Sequence, residues 1–201
     1  MSNRSGRPSK GNEHNSKEKI INTTISIIRK KGADAITVRD VCETAGLSIG
    51  TFYHYFRDKD DLMMYFLRDT SFDSFELKTP LADIAGRISE LYMHLIRKYI
   101  DLGLDFMKSF YSTGNQSLSA YMGEVDGAFA EGTVMARSEA EMEDALKSGI
   151  LDPDADIHLI CIDICTIVKG CVFEWCLNNG QTDMESCLNR ILKNYLNNYL
   201  I

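Results

Sequence analysis

The stretch Thr37 to Lys59, TVRDVCETAGLSIGTFYHYFRDK, leaves few folds open, because it reads as two short helices joined by a tight turn. Thr37 carries a hydroxyl suited to capping the first helix. Asp40, three residues on, places negative charge at the positive helix start, and Val38, Val41, Cys42 and Ala45 make its apolar face. Gly46 supplies the bend, Leu47 is placed to plug a core, and Ser48 is placed to cap the second helix. Phe52 and Phe56, four apart, share one face of that helix, so Tyr53, His54 and Tyr55 cannot all be buried with them. A compact pair of this kind sets the start of its second helix in the DNA major groove.

The charge distribution agrees with a nucleic-acid contact at one end only. Net charge is −7, yet residues 1–57 hold ten Lys or Arg against five Asp or Glu, net +5, and residues 58–201 hold twelve against twenty-four, net −12. A basic head on an acidic body concentrates attraction for phosphate at the head. The 201 residues, 44% hydrophobic and 25% charged, suffice for one or two domains with a substantial core. Neither a signal peptide nor a run of about 18 apolar residues occurs, so the expectation is a cytoplasmic protein without a membrane partner. The six cysteines, at 42, 161, 165, 171, 176 and 187, form no CxxC motif and are expected to be reduced thiols in a core.

In chain order, residues 1–15 are polar and basic and are expected to form a flexible arm, with Arg4 and Arg7 available to a narrow, electronegative minor groove. A merely solubilising tail is the competing reading. Ser16 is expected to cap a helix to about Lys31, with Ile21, Ile25 and Ile28 as its stripe and Ile20, Thr24 and Ile27 flanking it. Residues 16–57 then make a helix-turn-helix domain. On the second helix Ser48 suits a phosphate, Thr51 and Tyr53 offer hydroxyls, His54 and Tyr55 reach toward phosphate oxygens, and Gly50 permits close backbone approach. Ile49 stays open between core packing on the Phe52 and Phe56 face and contact with a thymine methyl. Thr37, Arg39 and Lys59, each at a helix start, are candidate phosphate contacts.

From residue 58 onward every segment reads as helical, which makes the fold class all-α. A connecting helix is expected over 58–78, followed by a helical domain that begins after Pro80. Another helical region spans Gln116 to Leu146, kinked near Gly127 and Gly132, and Asp152-Pro153 is expected to open the next. That next helix is apolar in nearly every direction and needs cover on a second side, for which a second copy of the chain is the natural source. The expected interface residues are Ile160, Ile164, Ile167 and Cys171, with Leu188, Ile191, Leu192 and Tyr195 from the last helix.

The run AGLSIGTFYHYFRDKDDL resembles the signature of the TetR family of bacterial transcriptional repressors, small-Gly-apolar-Ser-x-Gly-Thr-apolar-Tyr-x-aromatic-Phe-x-x-Lys-x-x-Leu, and meets every fixed position from Ala45 to Leu62. The resemblance implies a homodimer on a palindromic double-stranded operator and a small-molecule effector bound among the C-terminal helices. It also implies that the residue at Ile49 points into the groove. Candidate pocket residues are Phe66, Tyr92, Met107, Phe110, Tyr121 and Trp175, with the tyrosines as polar handles, although plain core is the more common use for such residues. No phosphate loop, nucleophile elbow or HExxH occurs, His94 and Asp101 are scattered, and neither enzyme activity nor a cofactor is expected. His158, Cys161 and Cys165 share one helical face and are weak metal-ligand candidates, the alternative being a metal- or thiol-responsive regulator. A ligand-independent interaction protein that uses the helix-turn-helix as scaffold is the other alternative.

Overall fold

A computed structural model of the chain describes residues 10–32, 36–68, 72–111, 124 and 126–201, without the side chains of 10–14, 66–68, 101, 102 and 109. The candidates Arg4, Arg7 and Tyr121 lie outside the described residues, as does the side chain of Phe66. The chain divides into two compact units, Met1–Met63 and Met64–Ile201, and the described residues are helical in both.

The first unit is a three-helix bundle of α1 (Lys10–Lys31), α2 (Val38–Ala45) and α3 (Ile49–Tyr55), with α1 packed on both of the others. α1 begins at Lys10, so residues 10–15 of the expected arm are helical. Its buried side chains are Ile20, Thr24, Ile27 and Ile28, while Ile21 and Ile25 are only half-buried. The face covering the reader is therefore rotated from the expected stripe. The Thr24 hydroxyl tolerates this position by donating back to the Ile20 carbonyl at 2.8 Å. Ile36, Val41, Cys42, Phe52, Phe56, Leu62 and Met63 complete this core.

α4 (Lys59–Arg68) runs across the division between the units, and from Phe72 to Asp83 the chain follows turns and extended backbone. The connecting helix expected over 58–78 is thus shorter. In the second unit this segment is held by charge: the Glu90 carboxylate accepts from the backbone N–H groups of Lys78 and Thr79, and Arg87 donates to the Thr79 carbonyl.

α5 (Ile84–Leu102) is the axis of the second unit, with Ile84, Ile88, Leu91, Tyr92, Leu95, Ile96 and Tyr99 buried along it. α6 (Leu104–Phe110), α7 (Val134–Lys147) and the last helix, α9 (Met184–Leu196), all pack on it, and α8 (Ile157–Leu177) packs on α6, α7 and α9. The region expected to be helical over Gln116–Leu146 contains α7 alone among the described residues, because 126–133 form turns. α8 opens with Asp156, whose carboxylate accepts from Leu159 N–H at 3.1 Å; Asp152 instead accepts from Asp154 N–H in a turn before it. The chain closes on itself where Leu151 and Leu200 form an antiparallel bridge.

Candidate nucleic-acid interface

The reading element is assembled by local chemistry. Thr37 caps α2, accepting from Asp40 N–H at 3.0 Å while its hydroxyl donates to Asp40 Oδ2 at 2.6 Å. Gly46 adopts φ 65° and ψ 36°, the left-handed conformation that a Cβ would strain, and its N–H donates to the carbonyls of Cys42 and Glu43. Leu47 N–H donates to the Cys42 carbonyl, which completes the turn. Ser48 caps α3 by accepting from Thr51 N–H at 3.0 Å, and its hydroxyl lies 2.8 Å from that of Thr51.

Burial on α3 is one-sided. Phe52 and Phe56 are in the core with ring centroids 5.7 Å apart, and the Tyr53 ring meets the edge of Phe52 at 5.6 Å. Ile49 is 49% exposed and Tyr53 55% exposed, on the side away from the core. Gly50 and His54 are exposed too, and Thr51 and Tyr55 are half-buried. Core packing for Ile49, one of the two readings left open above, is therefore excluded. An exposed isoleucine beside an exposed tyrosine on a short, polar-capped helix suits contact with base edges and sugar-phosphate together. Arg39 is exposed in an ion pair with Glu43 at 2.9 Å, which a phosphate can replace at little cost because exposed pairs contribute weakly. Lys59 is half-buried at the start of α4.

The other candidate sites fare differently. On α8 the structure buries Ile160, Ile164 and Cys171 in the protomer, and on α9 it buries Leu188 and Leu192; Ile167, Ile191 and Tyr195 are half-buried. The five buried side chains are core and cannot also form a surface contact, which corrects the expected interface. The exposed apolar side chains of α8 are Leu159 (53%), Phe173 (50%) and Leu177 (62%), which with Thr166 and Gly170 fall on the opposite face of the helix. The signal that could have found them is polar: Asp163, Thr166, Lys169 and Glu174 fall on the same side of the helix and mark it as the outward one.

Tyr92, Met107, Phe110 and Trp175 are all buried. The Tyr92 hydroxyl lies near that of Ser138 on α7, yet neither makes a well-formed hydrogen bond to any described residue. Burial, with Cys161 and Cys165 nearby, pushes the Tyr92 phenol well above its ordinary range. The metal candidates are not brought together. His158 Nδ1 lies 2.5 Å from Glu139 and Nε2 lies 2.9 Å from Glu124, while Cys161 and Cys165 face the core. Burial holds the Cys161 thiol up to about 12, the opposite of what a thiolate ligand requires. Among the described residues no group of three His, Cys, Asp or Glu converges on a metal position, and no helix is long and apolar enough to cross a membrane.

A three-helix head with an exposed, doubly capped second reading helix defines a helix-turn-helix DNA-binding unit. The sequence model described as "Bacterial regulatory proteins, tetR family" matches residues 20–65. The chain is 34% identical over 70 residues to the HTH-type transcriptional repressor KstR of Mycolicibacterium smegmatis, an alignment that covers 35% of this chain and spans only 34% of that repressor's length. It is 23% identical over 188 residues to the fatty acid metabolism regulator protein of Bacillus subtilis, covering 87% of this chain and 90% of that one. The fold also matches the crystal structure of Thermus thermophilus FadR, a TetR-family repressor in complex with lauroyl-CoA, with TM-score 0.62 at 15% identity over 92% of this chain and 95% of that one. The tetR-family match thus falls on the helix-turn-helix unit, residues 20–65, and the solved structures share the fold of the chain as a whole.

Proposed function

We propose that the protein is a homodimeric repressor that binds a palindromic operator and is released by an apolar, acyl-type small molecule. The observation that carries the DNA reading is the one-sided burial of α3, in which Phe52 and Phe56 anchor the helix while Ile49, Gly50, Tyr53 and His54 stay exposed. In this reading Ile49 touches a thymine methyl, and Thr37, Arg39, Ser48, Thr51, Tyr55 and Lys59 position the reader on phosphates. Arg4 and Arg7 reinforce it from the minor groove. Two such readers address half-sites about one helical turn, roughly 34 Å, or a multiple of it apart.

Pairing through the exposed face of α8, centred on Leu159, Phe173 and Leu177, covers apolar surface that the protomer leaves in water. Gly170 and Thr166 on the same face allow close approach of a second helix. For the effector, the support is the apolar interior between α5, α6, α7 and α8, where the neighbouring Tyr92 and Ser138 hydroxyls make no well-formed hydrogen bond among the described residues. A buried hydroxyl without a partner costs about 1 to 3 kcal/mol, which a ligand oxygen placed between the two would recover. The fatty acid metabolism regulator and the lauroyl-CoA complex among the relatives favour a fatty acyl ligand.

The test uses purified full-length protein. A duplex selected from random DNA should bind with steep salt dependence, and long-chain acyl-CoA should release it. Tyr92→Phe should weaken the release without weakening DNA binding. Phe173→Asp should give a monomer by sedimentation that no longer binds the palindrome. A well-folded monomer in the wild type, or no affinity for any duplex at low salt, would refute the reading.

A further inference from the structure

The seam between α8 and α9 holds two thiols side by side. Cys171 on α8 and Cys187 on α9 face each other closely enough to interact across the seam, and both are free. They differ in access. Cys171 is 4% exposed, whereas Cys187 is half-buried and borders solvent. Arg190, one turn along α9 from Cys187, directs Nη2 at the Cys187 sulfur from 4.0 Å. At the other end of the seam the Tyr195 hydroxyl donates to Asp163 Oδ2 at 2.7 Å, so the two helices are in register along their contact.

None of the other cysteines combines these features. Cys161, Cys165 and Cys176 are buried on α8, and Cys42 is buried in the first unit. A disulfide needs Cβ atoms roughly 3.5 to 4.5 Å apart, and the antiparallel register fixed by Asp163 and Tyr195 sets Cys171 on α8 opposite Cys187 on α9.

We propose that Cys171 and Cys187 form a peroxide-responsive thiol pair that closes reversibly into a disulfide joining α8 to α9. The exposed sulfur reacts first. The Cys187 thiolate attacks the distal oxygen of a hydroperoxide, the O–O bond breaks, and Cys187 becomes a sulfenic acid as alkoxide or hydroxide departs beside the Arg190 guanidinium and takes a proton. The Cys171 sulfur then attacks the sulfenic sulfur, the S–O bond breaks and water leaves with the Cys171 proton. With hydrogen peroxide the balance is two thiols and one peroxide giving one disulfide and two waters. A small-molecule thiol reverses it through a mixed disulfide at Cys187, the sulfur that solvent reaches.

Burial holds the Cys171 thiol up to about 11, which suits it to the second role and not the first. The inference stands on the α8–α9 seam alone and needs neither the operator nor the effector.

The experiment treats reduced full-length protein with hydrogen peroxide, blocks residual thiols by alkylation, and maps peptides without reduction. The expected product is a peptide pair linked through Cys171 and Cys187, with the intact mass lower by two hydrogens and both thiols restored by dithiothreitol. Cys171→Ser should leave a sulfenic acid at Cys187 that dimedone traps, and Cys187→Ser should abolish the link. Retention of both thiols at a peroxide dose that oxidises Cys187 in the Cys171→Ser protein would overturn the proposal. So would a link joining any other pair, including Cys187 to Cys187 between copies. In the wild type alone, oxidation of Cys187 to a sulfinic or sulfonic acid with Cys171 still a free thiol would overturn it equally, so the test does not depend on a variant that folds.

Discussion

Replacing Ile49 with alanine separates recognition from stability in one substitution. Ile49 is 49% exposed and lies away from the Phe52 and Phe56 core. Truncating a buried isoleucine costs about 2 to 5 kcal/mol, but a half-solvated one loses far less, and alanine's better helix propensity returns a few tenths of a kcal/mol, roughly 0.4. The net stability change should stay within about 1 kcal/mol. On DNA, the exposed half of three carbon atoms would be buried against a thymine methyl. At about 0.8 kcal/mol per buried methylene this contributes roughly 1 kcal/mol per half-site, or about fivefold in affinity per reader. The assay is a fluorescence-anisotropy cycle crossing Ile49→Ala with thymine-to-uracil changes, which remove the methyl group alone. One operator position should show coupling close to the full single-change effect, and all other positions should be additive. If no position couples while the melting temperature of the variant falls by roughly 8 °C or more, the side chain supports the fold and the groove assignment is wrong.

The buried and exposed ion pairs should behave oppositely. Glu141 is buried and accepts from both Arg137, at 2.8 Å, and Arg87, so Glu141→Ala leaves two partly buried guanidinium groups with only the Asp73 and Thr79 carbonyls and should cost about 2 to 3 kcal/mol by chemical denaturation. Glu185→Ala, which breaks the exposed pair with Arg97, should cost under about 1 kcal/mol, and equal costs would contradict this account. His158 supplies a pH dependence. Its hydrogen bond to Glu139 first, and then that to Glu124, raises its value above the ordinary imidazole range. The stabilisation is therefore fully present below the unfolded value and is lost as pH rises through the raised folded one. Melting temperature should fall modestly from about pH 6 upward, modestly because the ring is partly solvated and screened. His158→Gln should flatten that slope, and an unchanged slope would show that another group titrates.

How much was legible in advance follows from how local each decision is. The helix-turn-helix was readable because its determinants sit within a few residues of one another: the Thr37 and Ser48 caps, the left-handed Gly46, and the four-residue spacing of Phe52 and Phe56. The all-α class followed from helical periodicity. The helix starting at Ile157 was readable as buried on more than one side, and its outward face was marked only by the scattered polar residues Asp163, Thr166, Lys169 and Glu174, a signal that the surrounding apolar residues outweighed. Packing against α6, α7 and α9 made that choice, turning Ile160, Ile164 and Cys171 inward and leaving Leu159, Phe173 and Leu177 outside. The same packing set His158 between two carboxylates instead of beside Cys161 and Cys165. Short-range hydrogen bonds and backbone sterics are written into neighbouring residues, so the chain determined its reading head by itself. Which side chains meet across 19 to 88 positions of sequence, as in the pairs His158–Glu139 and Arg97–Glu185, depends on how whole helices settle together, and only the tertiary structure decided it.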